Sequence, residues 1–124
     1  MCAAFTPPEK LTEDLASLRE TYPDLGDKPL PMGVGLIAWM LDADEGAAKA
    51  KIDAILENNV KAFWLAFGND IHRWIQYART SPAAGRSKHK PLIFVQVTSV
   101  QEALLAANEW KADVIVAQGM HPLM

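Results

Sequence analysis

Gln118 and Gly119 are the residues whose type and placement best suit chemistry. They close the apolar run Val114-Ile115-Val116-Ala117, and βα enzymes present polar groups to ligands from the carboxyl ends of parallel strands. A glutamine amide both donates and accepts, which suits a planar heterocycle, and glycine lets backbone approach closely. Taken alone, the dipeptide favours a plain turn after a strand. Gly68-Asn69 ends the run Val60 to Phe67 in the equivalent place, on the same edge of a sheet. It serves equally as a helix-entry turn capped by Asn69 or Asp70. Gln96 interrupts the apolar run Leu92 to Val97. Burying an unpartnered amide costs about 1–3 kcal/mol, so a ligand or a neighbouring backbone group must bond it.

Other polar residues offer less. Gly33-Val34-Gly35 stands at a strand's start with no further glycine opening a helix, so close backbone packing is expected rather than a dinucleotide fingerprint. The three histidines do not converge: His72 falls on a helix surface, His89 in the basic run 86–90, and His121 in the tail. Solvated positions are expected for His72 and His89. No Cys/His spacing suggests zinc, and no Ser or Cys has a recognisable base nearby in sequence. Trp39, Trp64, Trp74 and Trp110 are expected in the core and in helix–sheet packing.

The elements that position these residues alternate. Leu11, Leu15 and Leu18 recur at helical spacing across residues 6–22, where Pro7 and Pro8 suit the entry and Pro23 the exit. Residues 32–41 form a nearly continuous apolar run, as in a buried parallel strand. Asp42 and Asp44 can cap the next helix, which carries Ala48, Ile52, Ile55 and Leu56 on one stripe. Strand 60–67, helix 70–79, a polar loop 80–91 and strand 92–97 follow. Thr98 or Ser99 then caps a helix with Val100, Ala103, Leu104 and Ala107 on its expected inner face, and residues 113–117 form a fourth strand. Strand starts recur every roughly 20 to 30 residues, the size of βαβ units. This implies an α/β fold with a parallel sheet, either open or half of an eight-stranded barrel.

Composition narrows the function class. The 124 residues are 50% hydrophobic with a net charge of −3, which argues against a nucleic-acid or anionic-membrane surface. The single Cys2 excludes an internal disulfide. With no apolar span of about 20 residues and no signal pattern, a cytoplasmic location is expected.

Taken together, Met32-Gly33-Val34-Gly35-Leu36-Ile37, Phe63-Trp64-Leu65-Ala66-Phe67-Gly68, Phe94-Val95-Gln96-Val97 and Val114-Ile115-Val116-Ala117-Gln118-Gly119 resemble the nitronate monooxygenase (2-nitropropane dioxygenase) family. The resemblance runs from about residue 11 to residue 119. It implies a (β/α)₈ TIM barrel that binds FMN at the carboxyl ends of its strands and oxidises alkyl nitronates with O2 to a carbonyl compound and nitrite. The chain then reads as a single partial barrel domain, residues 1–124, covering about the third to the sixth strand and truncated at both ends. A complete barrel needs about 200 residues or more.

The resemblance makes Gln118 the flavin-contacting glutamine, with Gly119, Gly35, Gly68 and Gln96 as further cofactor-binding candidates. Gly35 replaces an asparagine found in many members. After Gly119 the family's Glu-Ala-Gly-Gly-His motif, which carries the catalytic base, is replaced by Met120-His121-Pro122-Leu123-Met124. No catalytic residue is therefore assigned, and the phosphate-binding loops after the last two barrel strands are missing. An FMN-dependent reductase on a related barrel and a non-catalytic α/β module are the alternatives. Unpaired strand edges of such a fragment are expected to promote self-association.

Overall fold

Apolar runs and amphipathic segments alternate along the chain, and the computed structural model resolves them into one sheet with its helices. It describes residues 2–118, apart from 4, 69 and 88. Strands β1 (Leu30–Ile37), β2 (Val60–Ala66), β3 (Leu92–Val97) and β4 (Val114–Ala117) are all parallel and lie side by side in chain order. Parallel neighbours need crossovers. Helices α3 (Glu45–Glu57), α4 (Ile71–Thr80) and α6 (Val100–Asn108) supply them, while α1 (Pro8–Thr21) precedes the sheet.

Alternation along the strands separates two faces. Val34, Leu36, Phe63, Leu65, Ile93, Val95 and Val97 are buried together with Leu11 and Leu15 of α1, Ile52 and Ile55 of α3, and Ile71, Trp74 and Ile75 of α4. Gly33, Gly35, Ala62, Trp64, Phe94 and Gln96 occupy the alternate positions and are only partly covered. The core thus fills one side of the sheet.

Local chemistry sets the helix ends. Pro8 at the first position of α1 has no amide proton to leave unpaired. Near the end of that helix, Arg19 donates to the carbonyls of Gly26, Lys28 and Asn58, tying α1 to the turns that precede β1 and β2. Asp44 caps α3 by accepting from the Ala47 amide at 3.1 Å. Ser99 accepts from the Glu102 amide, and Glu102 in return accepts from Thr98, so α6 begins in a reciprocal box. Tyr77 donates to Asp53 at 2.9 Å, joining α4 to α3, and burial with that acidic partner pushes its hydroxyl up to about 12.

Several expectations are corrected. The apolar run 32–41 does not continue as a strand: β1 ends at Ile37, and α2 (Ala38–Ala43) follows. Its residues are good helix formers, and tertiary bonds hold it, with Trp39 N–H donating to the Phe67 carbonyl and Trp74 Nε1 to Asp42. The polar loop 80–91 contains α5 (Pro82–Arg86), capped by Ser81 and burying Ala83 and Ala84. On α6 the inner-face reading holds at Ala103, which packs partly buried against the core, but not elsewhere: Ala106 is buried, whereas Val100 is 78% and Leu104 57% exposed, and Ala107 is exposed. Trp39 is exposed rather than in the core. The edge of β1 is not wholly bare either, because Cys2 bridges Gly35 and the Ala3 amide donates to the Gly35 carbonyl at 2.9 Å. No described helix is long and apolar enough to cross a membrane.

Candidate functional site

Because the strands are parallel, their carboxyl ends share one edge of the sheet, where βα folds place ligands. The partly covered face runs up to that edge. Its row of register partners is Gly35, Trp64, Phe94 and Val114 across β1 to β4. Trp64 stacks on Phe94 with ring centroids 5.3 Å apart and planes 16° apart. On the other flank of Trp64 the partner is Gly35, which has no side chain. Gly33 and Ala62 keep the neighbouring positions equally low, and a methyl on Gly33 would stand only 3.3 Å from Ala62 Cβ. Small residues beside a stacked aromatic pair leave an open cavity of ≈ 560 Å³, which Cys2, Ala66 and Phe67 also line.

Polar contacts run along one wall of this face. Trp64 Nε1 donates to Gln96 Oε1 at 3.2 Å, and Gln96 Nε2 donates to Gln118 Oε1. Gln118 is held in turn by its backbone amide, which donates to the Val97 carbonyl at 2.9 Å. The three side chains form a directional relay from β2 to the end of β4. Each step uses a donor on one strand and an acceptor on the next. Among the described residues Gln118 Nε2 has no further acceptor, so the relay ends at the carboxyl edge with free N–H donors. The partners of Gln96 inside its apolar strand are thus two side chains, Trp64 and Gln118, rather than a neighbouring backbone group.

The other candidates separate. Gly35 floors the cavity beside Trp64. Gly68 follows β2 at the same edge but serves packing: a Cβ there would lie 2.5 Å from Ala38 Cβ and 3.1 Å from the Trp39 nitrogen. Gly119 and Asn69 lie outside the described residues, as does His121. His72 sits beside the Trp110 ring, with centroids 6.4 Å apart. His89 is not solvated as expected: its Nε2 is buried and, among the described residues, has no hydrogen-bond partner.

Sequence reasoning missed the aromatic wall and the edge residue Phe67. Trp64 and Phe94 share strand parity with Gly33, Gly35 and Gln96, and that period-two pattern was the available signal. Phe67 is half exposed and has φ 59°, a left-handed conformation that side chains disfavour by roughly 1–2 kcal/mol. Non-glycine outliers of this kind cluster at ligand-binding edges. Among the described residues no His, Asp, Glu, Lys or Arg lines the cavity, and no group of three His, Cys, Asp or Glu could hold a metal ion.

The arrangement is therefore suited to holding a flat, mostly apolar ring with hydrogen-bonding atoms at one margin. Among the described lining residues nothing supplies a cation for a phosphate. Comparisons of the chain with protein-family models, with curated proteins and with solved structures found no match.

Proposed function

We propose that the chain forms the ring-binding part of a nitronate monooxygenase-like FMN site. On this reading β1 to β4 correspond to the third to sixth strands of a (β/α)₈ barrel, and the partly covered face looks into its interior. The sequential strand order supports this, since a doubly wound sheet reverses its order at a switch point and carries helices on both faces. Parallel sheets are rarely left with one open face.

The observation that carries the reading is the Trp64–Gln96–Gln118 relay, which delivers amide donors to the carboxyl edge beside the aromatic wall. Those donors would meet acceptor atoms at the margin of the flavin ring, and the slot above Gly35 would take its plane. FMN, when bound, supplies the electron-accepting ring with which the family oxidises nitronates using O2. The protein's part is to orient that ring and to keep it against an apolar wall. With no His, Asp, Glu, Lys or Arg among the described cavity residues, the 124-residue chain is expected to bind the ring without turnover, so nitrite production should not exceed that of a denatured control.

Titration with riboflavin and FMN, read by flavin fluorescence, tests the proposal. Riboflavin should bind as tightly as FMN, because the site engages the ring and not the phosphate. Gln118→Leu should weaken both by about 1–3 kcal/mol if a buried flavin atom loses its donor. A turn residue facing solvent would change affinity by less than about 0.5 kcal/mol. Equal affinities for the two proteins would remove Gln118 from the site, and no saturable binding of either flavin would end the proposal.

A further inference from the structure

A second cavity, of ≈ 420 Å³, lies at the opposite edge of the sheet. Its floor is apolar, with Leu56 from the end of α3, Ala78 from α4, Ala84 from α5, and Ile93 from the start of β3. Among the described residues its wall is charged: Arg79, Lys90 and Lys111 line it together with one acid, Asp113. Two of these charges are already used. Asp113 Oδ2 accepts from the Ile93 amide at 2.8 Å and lies 3.7 Å from Arg79, while Arg79 also donates to the carbonyls of Trp110 and Lys111. Lys90 and Lys111 remain, both exposed at the mouth. His89 lines the same cavity, and its Nε2, which is buried, has no hydrogen-bond partner among the described residues.

We infer that this cavity binds a small organic anion, with its apolar body on Leu56, Ala78 and Ile93 and its anionic head toward His89, Lys90 and Lys111. With its proton on Nε2, His89 would find in a carboxylate the acceptor that this nitrogen lacks among the described residues, and leaving a buried polar atom unpaired is costly. Two ammonium groups without an acidic partner among the described residues, against one engaged carboxylate, set the preference for negative charge. His89 is held in place, since the Ser87 hydroxyl donates to the His89 carbonyl at 2.6 Å and accepts its amide at 3.3 Å. The site lies on the amino-terminal edge and does not depend on the flavin reading.

Benzoate and its uncharged counterpart benzyl alcohol are the probes, titrated into the full chain and followed by amide chemical shifts. Benzoate should give saturable shifts at Ser87, His89, Ile93 and Asp113, and benzyl alcohol should bind at least about fivefold more weakly. Lys111 has φ 55°, so Lys111→Gly removes the ammonium at a position that suits glycine and keeps the carbonyl that Arg79 uses. That variant should fold normally and weaken benzoate by about threefold to fivefold, and Lys90→Gln by a similar factor. Equal binding of the alcohol, unchanged affinity in both lysine variants, or shifts confined to Trp64, Phe94 and Gln96 would each overturn the assignment.

Discussion

The two faces of the sheet are built from the same strands and have opposite fates. At Phe63, Leu65 and Val95 nothing reaches solvent, because α1, α3 and α4 contribute apolar stripes that fit between these side chains. One residue further along each strand, Trp64, Phe94 and Gln96 remain partly open. The covered face stabilises the chain, and on the proposed reading the open face holds the ring. The pleat alone makes this division possible, since successive side chains point to opposite sides.

The widest expected difference between the faces is in stability. Phe63→Ala removes a fully buried ring and should cost about 3–5 kcal/mol in denaturant unfolding. Phe94→Ala on the open face loses its stacking with Trp64 and part of its burial, and should cost about 1–2 kcal/mol. Similar costs for the two variants would mean that the open face is covered in solution. If a second copy covers it, the cost of Phe94→Ala should rise with protein concentration.

The next comparison is between glycines. Gly68 and Gly35 both lie near the carboxyl edge, but a Cβ on Gly68 would press on the backbone of Ala38 and Trp39, whereas Gly35 lines the open cavity. Gly68→Ala should destabilise by about 1–3 kcal/mol through overpacking. On the ring-slot reading Gly35→Ala should act chiefly on riboflavin affinity, because its methyl would enter the slot beside Trp64. A destabilisation by Gly35→Ala as large as that of Gly68→Ala would argue that both glycines serve packing alone.

How far these roles were legible in the sequence depends on the range of the interaction concerned. Alternation of apolar runs gave the parallel α/β arrangement, because strand and helix periods are local properties. The Ala38 boundary was not legible, since an apolar run reads alike as strand or buried helix. It is decided by Phe67, whose carbonyl captures the Trp39 amide from 28 positions away in sequence. Helix α5 left a signal that was passed over, as Ser81-Pro82 is a cap followed by a first-turn proline. At the site, Gln96 and Gln118 stood out as polar residues on apolar strands. Their hydrogen bond, and the role of Trp64 as donor to the first of them, follow from strand register, which no local pattern encodes.

The smallest expected effect concerns Phe67. Its left-handed backbone recurs at Asn59 and Lys111 on the amino-terminal edge, but asparagine tolerates that conformation and Phe does not. Phe67 is also half exposed, so burial does not compensate for the strain. Replacing it with glycine relieves the backbone by about 1–2 kcal/mol and adds freedom to the unfolded chain worth about 0.5–1 kcal/mol in the opposite direction. Phe67→Gly is therefore expected to leave stability within about 0.5–1 kcal/mol of the parent, with any shift on the stabilising side. The informative readout is riboflavin affinity. If the ring is held at the carboxyl edge because it borders the ligand, the glycine variant should bind more weakly while unfolding no earlier. If the conformation is only a by-product of the turn into α4, affinity should not change. A loss of stability larger than about 1 kcal/mol would show instead that the Phe67 side chain supports the edge of the core.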